Sequence, residues 1–134
     1  MSTYPHNITA EYHTLGCKLN FSETSAIGRA LNERGVRRAA AGETPDIVVV
    51  NTCSVTETAD KKGRSLIRRL AARYPQAAIV VTGCYAQLKP GEVAALPGVE
   101  LVLGSGEKLK AAEYVDRFLQ SRQSVTEVTP ARQI

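Results

Sequence analysis

At 134 residues the chain has room for one compact domain and little more. Its 17 basic and 13 acidic side chains leave a formal charge of +4, and 43% hydrophobic with 22% charged residues suits a packed core and argues against disorder. No apolar run approaches the roughly 18 residues of a membrane span, and the opening MSTYPHNITAEYH has no basic patch leading into an apolar stretch. No membrane partner and no secretory signal are therefore expected, and a cytoplasmic setting is.

Ile8 to Leu15 is rich in β-branched and aromatic residues and ends in Gly16-Cys17, which predicts a strand running into a turn. Ser22 offers a helix cap, Ala26, Ile27, Ala30 and Leu31 recur at helical spacing, and Gly35 after Arg34 marks that helix's end. Val36 to Ala39 suits a small edge strand. Pro45-Asp46 opens Ile47-Val48-Val49-Val50, a continuous apolar run of the kind buried on both faces, which stops at Asn51-Thr52-Cys53. A helix is expected from about Glu57 to Arg73, with Ala59, Leu66, Ile67 and Leu70 inward and Pro75 beyond its end. Another buried strand, Ala77 to Thr82, stops at Gly83-Cys84. A weaker helix over about Lys89 to Leu96 has Pro90 in its first turn. Glu100 to Leu103 reads as a strand, and Ser105 is placed to cap a helix from about Glu107 to Leu119. From Ser121 to Ile134 the composition turns polar, as in a linker or a strand belonging to another unit.

Strands alternating with helices predict an α/β fold of three layers. Its sheet is expected to be mainly parallel and flavodoxin- or Rossmann-like, with about five strands and helices on both faces. In the common order 2-1-3-4-5, the strands ending near Leu15, Val50 and Val81 are neighbours. Cys17, Cys53 and Cys84, the chain's three cysteines, each follow one of those strands. Adjacent strands lie roughly 4.8 Å apart, so the three thiols are expected to share one pocket at the edge where open α/β sheets bind ligands. A single cysteine at such a place would read as an inert core residue; three at equivalent junctions and none elsewhere do not. Spacings of 36 and 31 residues exclude a zinc knuckle or a C-x-x-C redox site. Thiolate-rich sites take zinc, copper(I) or iron–sulfur clusters. Structural zinc needs a fourth ligand, and His6 and His13 have no evident reason to face the edge. A four-iron cluster on three thiolates keeps one iron open, and zinc is the weaker alternative. Asn20, Asn51, Thr52, Ser54, Thr82 and Gln87 lie at the same junctions, where they either support bound sulfur or serve as ordinary turn and cap residues.

Thr14-Leu15-Gly16-Cys17-Lys18-Leu19-Asn20, Asn51-Thr52-Cys53-Ser54-Val55-Thr56 with Ala59 and Lys62, and Thr82-Gly83-Cys84-Tyr85-Ala86-Gln87 resemble, in that order, the N-terminal (UPF0004-type) domain of the tRNA methylthiotransferases. These are radical S-adenosylmethionine enzymes, and the likeness spans about Ile8 to Leu119. It implies a cluster-binding domain over 1–120 and, over 121–134, a linker toward a radical S-adenosylmethionine domain absent from this chain. Cys17, Cys53 and Cys84 would hold an auxiliary [4Fe–4S] cluster as metal and cofactor ligands. Asn20, Asn51, Thr82, Tyr85 and Gln87 would stand around it. The whole enzyme would add a second [4Fe–4S] cluster, S-adenosylmethionine and an RNA-binding domain, take sulfur from a donor, and place a methylthio group on C2 of a modified adenosine at tRNA position 37. Lys18 and the run Asn20 to Thr24 look like the branch acting on N6-threonylcarbamoyladenosine; the isopentenyladenosine and ribosomal-protein branches are the alternatives. No C-x-x-x-C-x-x-C motif is present, so no catalytic residue is expected here and the domain should be inactive alone.

Other signals have plainer readings. Lys61, Lys62, Arg64, Arg68, Arg69 and Arg73 on the second long helix would suit tRNA phosphates but also an ordinary solvated face. Gly104-Ser105-Gly106 before a helix has the form of a phosphate loop but reads rather as a turn plus a cap. Tyr85 either packs against the sheet edge or covers the cluster. The competing class, a zinc- or nucleotide-binding flavodoxin-like module, is short of a Ser/Thr/Gly phosphate cradle at Gly16 to Ser22.

Overall fold

A computed structural model of the chain describes residues 7–16, 18–54 and 56–129. Strands β1 (Ile8–Thr14), β2 (Val36–Arg38), β3 (Ile47–Thr52), β4 (Ala78–Gly83), β5 (Val99–Leu103) and β6 (Val125–Glu127) form one parallel sheet in the order β2-β1-β3-β4-β5-β6. Between them run helices α1 (Lys18–Glu33), α2 (Glu57–Arg73), α3 (Cys84–Leu88), α4 (Pro90–Ala94) and α5 (Ala111–Ser121). The expected α/β architecture and strand order are observed, with six strands in place of about five.

The apolar runs explain the centre of the sheet. β3 and β4 are buried along their whole length because helices cover them on both sides. On one face Ile47, Val49, Val80 and Leu101 meet Ile27 and Leu31 of α1 and Val115 and Phe118 of α5. On the other, Val48, Val50, Ile79 and Val81 meet Ile67 and Leu70 of α2 and Val93 of α4. α2 keeps the predicted bounds: Thr56 caps it by accepting the Ala59 amide at 3.0 Å, and Glu57 and Asp60 at its start with Arg73 at its end match its dipole.

Four elements depart from the sequence reading. α1 begins at Lys18, four residues before the expected Ser22 cap, because a bend at Gly16 turns the chain straight from β1 into the helix. α3 was not expected; the chain coils as soon as Gly83 leaves β4. Ser105 does not cap the next helix: a 3-10 turn at Lys108–Lys110 intervenes and α5 starts only at Ala111, while the Ser105 amide donates to Gln87 Oε1 at 2.9 Å. Residues 125–127, in the tail read as a linker or a strand of another unit, pair with Leu101 to Leu103 as an exposed edge strand of this sheet.

Two features of the wiring bear on function. The β2–β3 connection, residues 39–46, contains no helix among the described residues. A crossover helix there would lie over β1 on the side of α2; without it Glu11 and His13 on that side are half-exposed. Helix α5 packs beside α1, whereas α2 lies on the opposite face, so the β5–α5–β6 passage has the opposite hand to β3–α2–β4. Such reversals are rare within a sheet.

Candidate metal centre

Strands β1, β3 and β4 end level. Thr14 pairs with Asn51, Asn51 with Thr82, and Thr52 with Gly83, while the Leu15 amide reaches Asn51 O at 2.9 Å. Cys53 is half-buried directly after β3, and exposed Cys84 opens α3 directly after β4. A Cβ on Gly16 would stand 3.2 Å from Cys53 Cβ and 3.5 Å from its Sγ, so the backbone preceding Cys17 runs against the Cys53 thiol. Cys17 itself lies outside the described residues, as does His6. Among the described residues no group of three His, Cys, Asp or Glu side chains is arranged to hold a metal ion.

Backbone conformation makes this convergence possible. Gly16 has φ +106°, and Gly83 has φ +100° with ψ −168°, a region essentially open to glycine alone. At Gly83 any side chain would also meet Thr52 O at 2.3 Å.

A buried polar network binds the junctions together. Asn20 Nδ2 donates to Leu15 O at 2.7 Å, closing the turn that contains Gly16. Asn51, wholly buried, donates through Nδ2 to Asn20 O at 3.0 Å and Thr24 Oγ1 at 3.2 Å, so β3 grips the first turn of α1. Thr24 in turn donates to Asn20 O at 2.9 Å. The opposite atom, Asn51 Oδ1, is buried without a partner among the described residues and lies 2.8 Å from where a Gly83 Cβ would be. Thr52 Oγ1 donates to Thr82 O at 2.6 Å, and buried Thr82 lies 3.5 Å from Gly104 O. Gln87 ties α3 to the Ser105 turn and, through Nε2, to Thr129 O at 2.8 Å. Tyr85 is fully buried, its ring against Gly63 of α2 and its hydroxyl 3.3 Å from Arg64 Nη1.

A second linkage joins the Cys53 and Cys84 segments. Asp60, 2% exposed in the first turn of α2, accepts from the Ser54 hydroxyl and from Lys89 Nζ at 2.8 Å. Burial alone would raise its carboxyl, but the Lys89 and Ser54 hydrogen bonds and the Lys89 and Arg64 charges together hold it below the usual carboxylate range. Sequence reading missed this role, because a carboxylate in a first turn looks like a simple dipole partner. The depressed value ties stability to ionised Asp60. That contribution is complete above an unfolded carboxyl value of about 3.9 and is lost as pH falls through the folded value. Asp60→Asn is therefore expected to lower the urea midpoint at pH 7 and to flatten its decline below about pH 4. Circular dichroism titrations of both proteins check this, and an unchanged acid limb would refute it.

Of the basic residues on α2, Arg64 is engaged by Glu57 and Glu92, each at 3.1 Å. Lys61, Lys62, Arg68 and Arg69 are exposed with no acidic partner among the described residues. His13 is held by Glu11 at 2.7 Å on the open side of β1.

The sequence has relatives among known proteins. The model of "Uncharacterized protein family UPF0004" matches residues 9–104. The chain belongs to that family. Over 90% of its length it is 45% identical to the threonylcarbamoyladenosine tRNA methylthiotransferase MtaB of Bacillus subtilis, and over 94% it is 34% identical to MtaB of Thermotoga maritima. Over 86% it is 35% identical to the tRNA-2-methylthio-N(6)-dimethylallyladenosine synthase of Nitratidesulfovibrio vulgaris. This UPF0004 chain spans 27%, 28% and 26% of those three relatives. A pilus assembly-related protein of Burkholderia pseudomallei superposes with a TM-score of 0.59 at 12% identity, covering 90% of this chain and 95% of that one, a likeness of fold alone. No helix among the described residues is long and apolar enough to cross a membrane.

Proposed function

We propose that this UPF0004 chain is the auxiliary [4Fe–4S]-binding, sulfur-donor domain of a methylthiotransferase acting on C2 of N6-threonylcarbamoyladenosine at tRNA position 37. Cys17, Cys53 and Cys84 are its ligands. One observation carries the reading: all three cysteine-bearing junctions meet at one sheet edge, in a family whose relatives are named tRNA methylthiotransferases. The threonylcarbamoyl branch is supported by 45% identity over 90% of the chain to a relative so named.

The residues present fit such a group. Two described thiols lie at adjacent strand ends, and glycines at Gly16 and Gly83 let backbone approach closely. When bound, a four-iron cluster on three thiolates supplies one iron with an open position for sulfur. The chain's own part is to hold the thiols in place. Asn51 and Asn20 fix the turn before Cys17, and Asp60 fixes the segments after Cys53 and Cys84.

Exposed Leu19, Phe21, Leu88 and Leu109 surround this edge on α1, α3 and the 3-10 turn, apolar surface suited to cover by a further domain. The tail from residue 121 leads onward, with β6 as the exit strand at the edge of this sheet. The radical S-adenosylmethionine and RNA-binding parts, and the second cluster, belong to the remainder of the enzyme, and the isolated domain is inactive.

Anaerobic reconstitution with iron and sulfide tests this. About four irons per chain are expected, and Cys17→Ala, Cys53→Ala and Cys84→Ala should each lose most of them. Full retention in all three variants, or tight stoichiometric zinc in place of iron, would overturn the assignment.

A further inference from the structure

The uncovered side of β1 meets cations of α2 that have no acidic partner among the described residues. A cavity of about 280 Å³ at Gly16 and Cys53 is bounded by Leu15 and Lys62. Leu15 and Lys62 also bound a neighbouring cavity of about 390 Å³ that runs on to His13, Ser65 and Arg69. The two form one groove, open because the β2–β3 connection supplies no helix to fill it. Lys62, Ser65 and Arg69 lie along its wall at i, i+3 and i+7, one face of α2. Lys62 and Arg69 are thus about 10.5 Å apart along the helix axis. Lys61 and Arg68 repeat that spacing on the adjoining ridge. The acids of α2 do not neutralise them: Glu57 is taken by Arg64 and Lys89, and Asp60 by Lys89. On the same side of β1, Glu11 is already engaged by His13 and by the Tyr74 hydroxyl at 3.0 Å.

We propose that this groove binds the phosphate backbone of the RNA substrate, with Lys62 and Arg69 as its principal contacts, and leads the strand to the cysteine edge. The inference rests on the tRNA reading given above. Charge selects the occupant, since a row of cations at regular spacing matches a polyanion. Leu15, Ala59 and Leu66 also line the groove, and the cations Lys62 and Arg69 beside them are what select a polyanion. Ser65 between the two cations adds a hydroxyl donor of the kind that accompanies Lys and Arg on phosphate oxygens.

The test titrates the 134-residue chain with an unmodified tRNA transcript at several salt concentrations, alongside Lys62→Gln/Arg69→Gln. A control pair, Lys110→Gln/Arg117→Gln, removes the same charge from the opposite face. The groove pair is expected to weaken binding about tenfold at low salt and to reduce the log–log salt slope by about 2, roughly one per lost phosphate contact. The control pair should leave the slope unchanged. No tRNA binding by the parent chain, equal losses for both pairs, or no loss for the groove pair would each overturn the proposal. Iron content is read on the same samples. Parent-level iron with an indifferent groove pair defeats only the groove, whereas groove-dependent RNA binding by a chain that takes up no iron defeats only the cluster.

Discussion

Gly83→Ala should destabilise the chain by about 3–5 kcal/mol, although it adds one methyl group and removes no hydrogen bond. Two costs combine. The backbone at φ +100°, ψ −168° is strained for any residue with a Cβ, by about 1–3 kcal/mol. The new methyl would also stand 2.3 Å from Thr52 O and 2.7 Å from Thr52 N, both in the centre of the sheet. Overpacking of this kind costs about 1–3 kcal/mol even where neighbours can yield, and backbone held by the β3–β4 ladder yields least. Relief requires Thr52, and Cys53 after it, to move away from β4. Urea unfolding of the apo chain measures the loss, with Gly91→Ala as comparator: nothing lies within 4 Å of a Cβ there, so that change should be neutral or slightly stabilising. Equal midpoints for the two variants would mean that the close approach of Gly83 to Thr52 is wrong.

This constraint was half legible in the sequence. Gly83 and Gly16 stood out because glycine precedes two of the three cysteines, and the apolar runs at Ile47 to Val50 and Ala77 to Val81 announced central strands. Parallel pairing, strand order and the level ending of β1, β3 and β4 followed from the alternation of those runs with helices. Less accessible was anything depending on a side chain's choice between local and distant partners. Ser22 has the chemistry of a cap, yet the helix starts earlier because Asn20 reaches back to Leu15 O. Ser105 has the same chemistry, but the 3-10 turn at Lys108–Lys110 carries the helix start to Ala111, out of its reach. Val125 and Thr126 lie in a polar tail that reads as a linker or as a strand of another unit; β5 supplies the template in this sheet, and edge pairing needs no apolar face. The charges of α2 were visible as a cluster, but which were spent on Glu57 and Glu92 and which remained open depended on tertiary placement.

Asn51→Asp should be among the most disruptive single-atom exchanges in the protein, with a cost that grows with pH. The side chain keeps its shape, but an oxygen replaces the Nδ2 that faces Asn20 O at 3.0 Å and Thr24 Oγ1 at 3.2 Å. Asn20 O can only accept. Thr24 can turn its proton toward the new carboxylate only by abandoning Asn20 O, its present acceptor at 2.9 Å. The other oxygen inherits the position of Oδ1, which has no partner among the described residues. A carboxylate wholly removed from solvent with at most one donor costs about 3–5 kcal/mol, so the folded protein favours the protonated acid, whose hydroxyl can restore the bond to Asn20 O. The folded value is therefore raised above the unfolded value of about 3.9. Stability relative to the parent is best preserved below that unfolded value and falls away as pH rises toward the folded one. Asn51→Ala removes the same donors without adding charge and should cost about 1–3 kcal/mol at every pH. Urea midpoints at pH 4.5 and pH 8 separate the cases: a gap between Asp and Ala variants that widens with pH is the signature of a sealed amide site joining β3 to α1. A gap that stays constant would mean that water reaches Asn51, and that the turn before Cys17 is held by something other than this clamp.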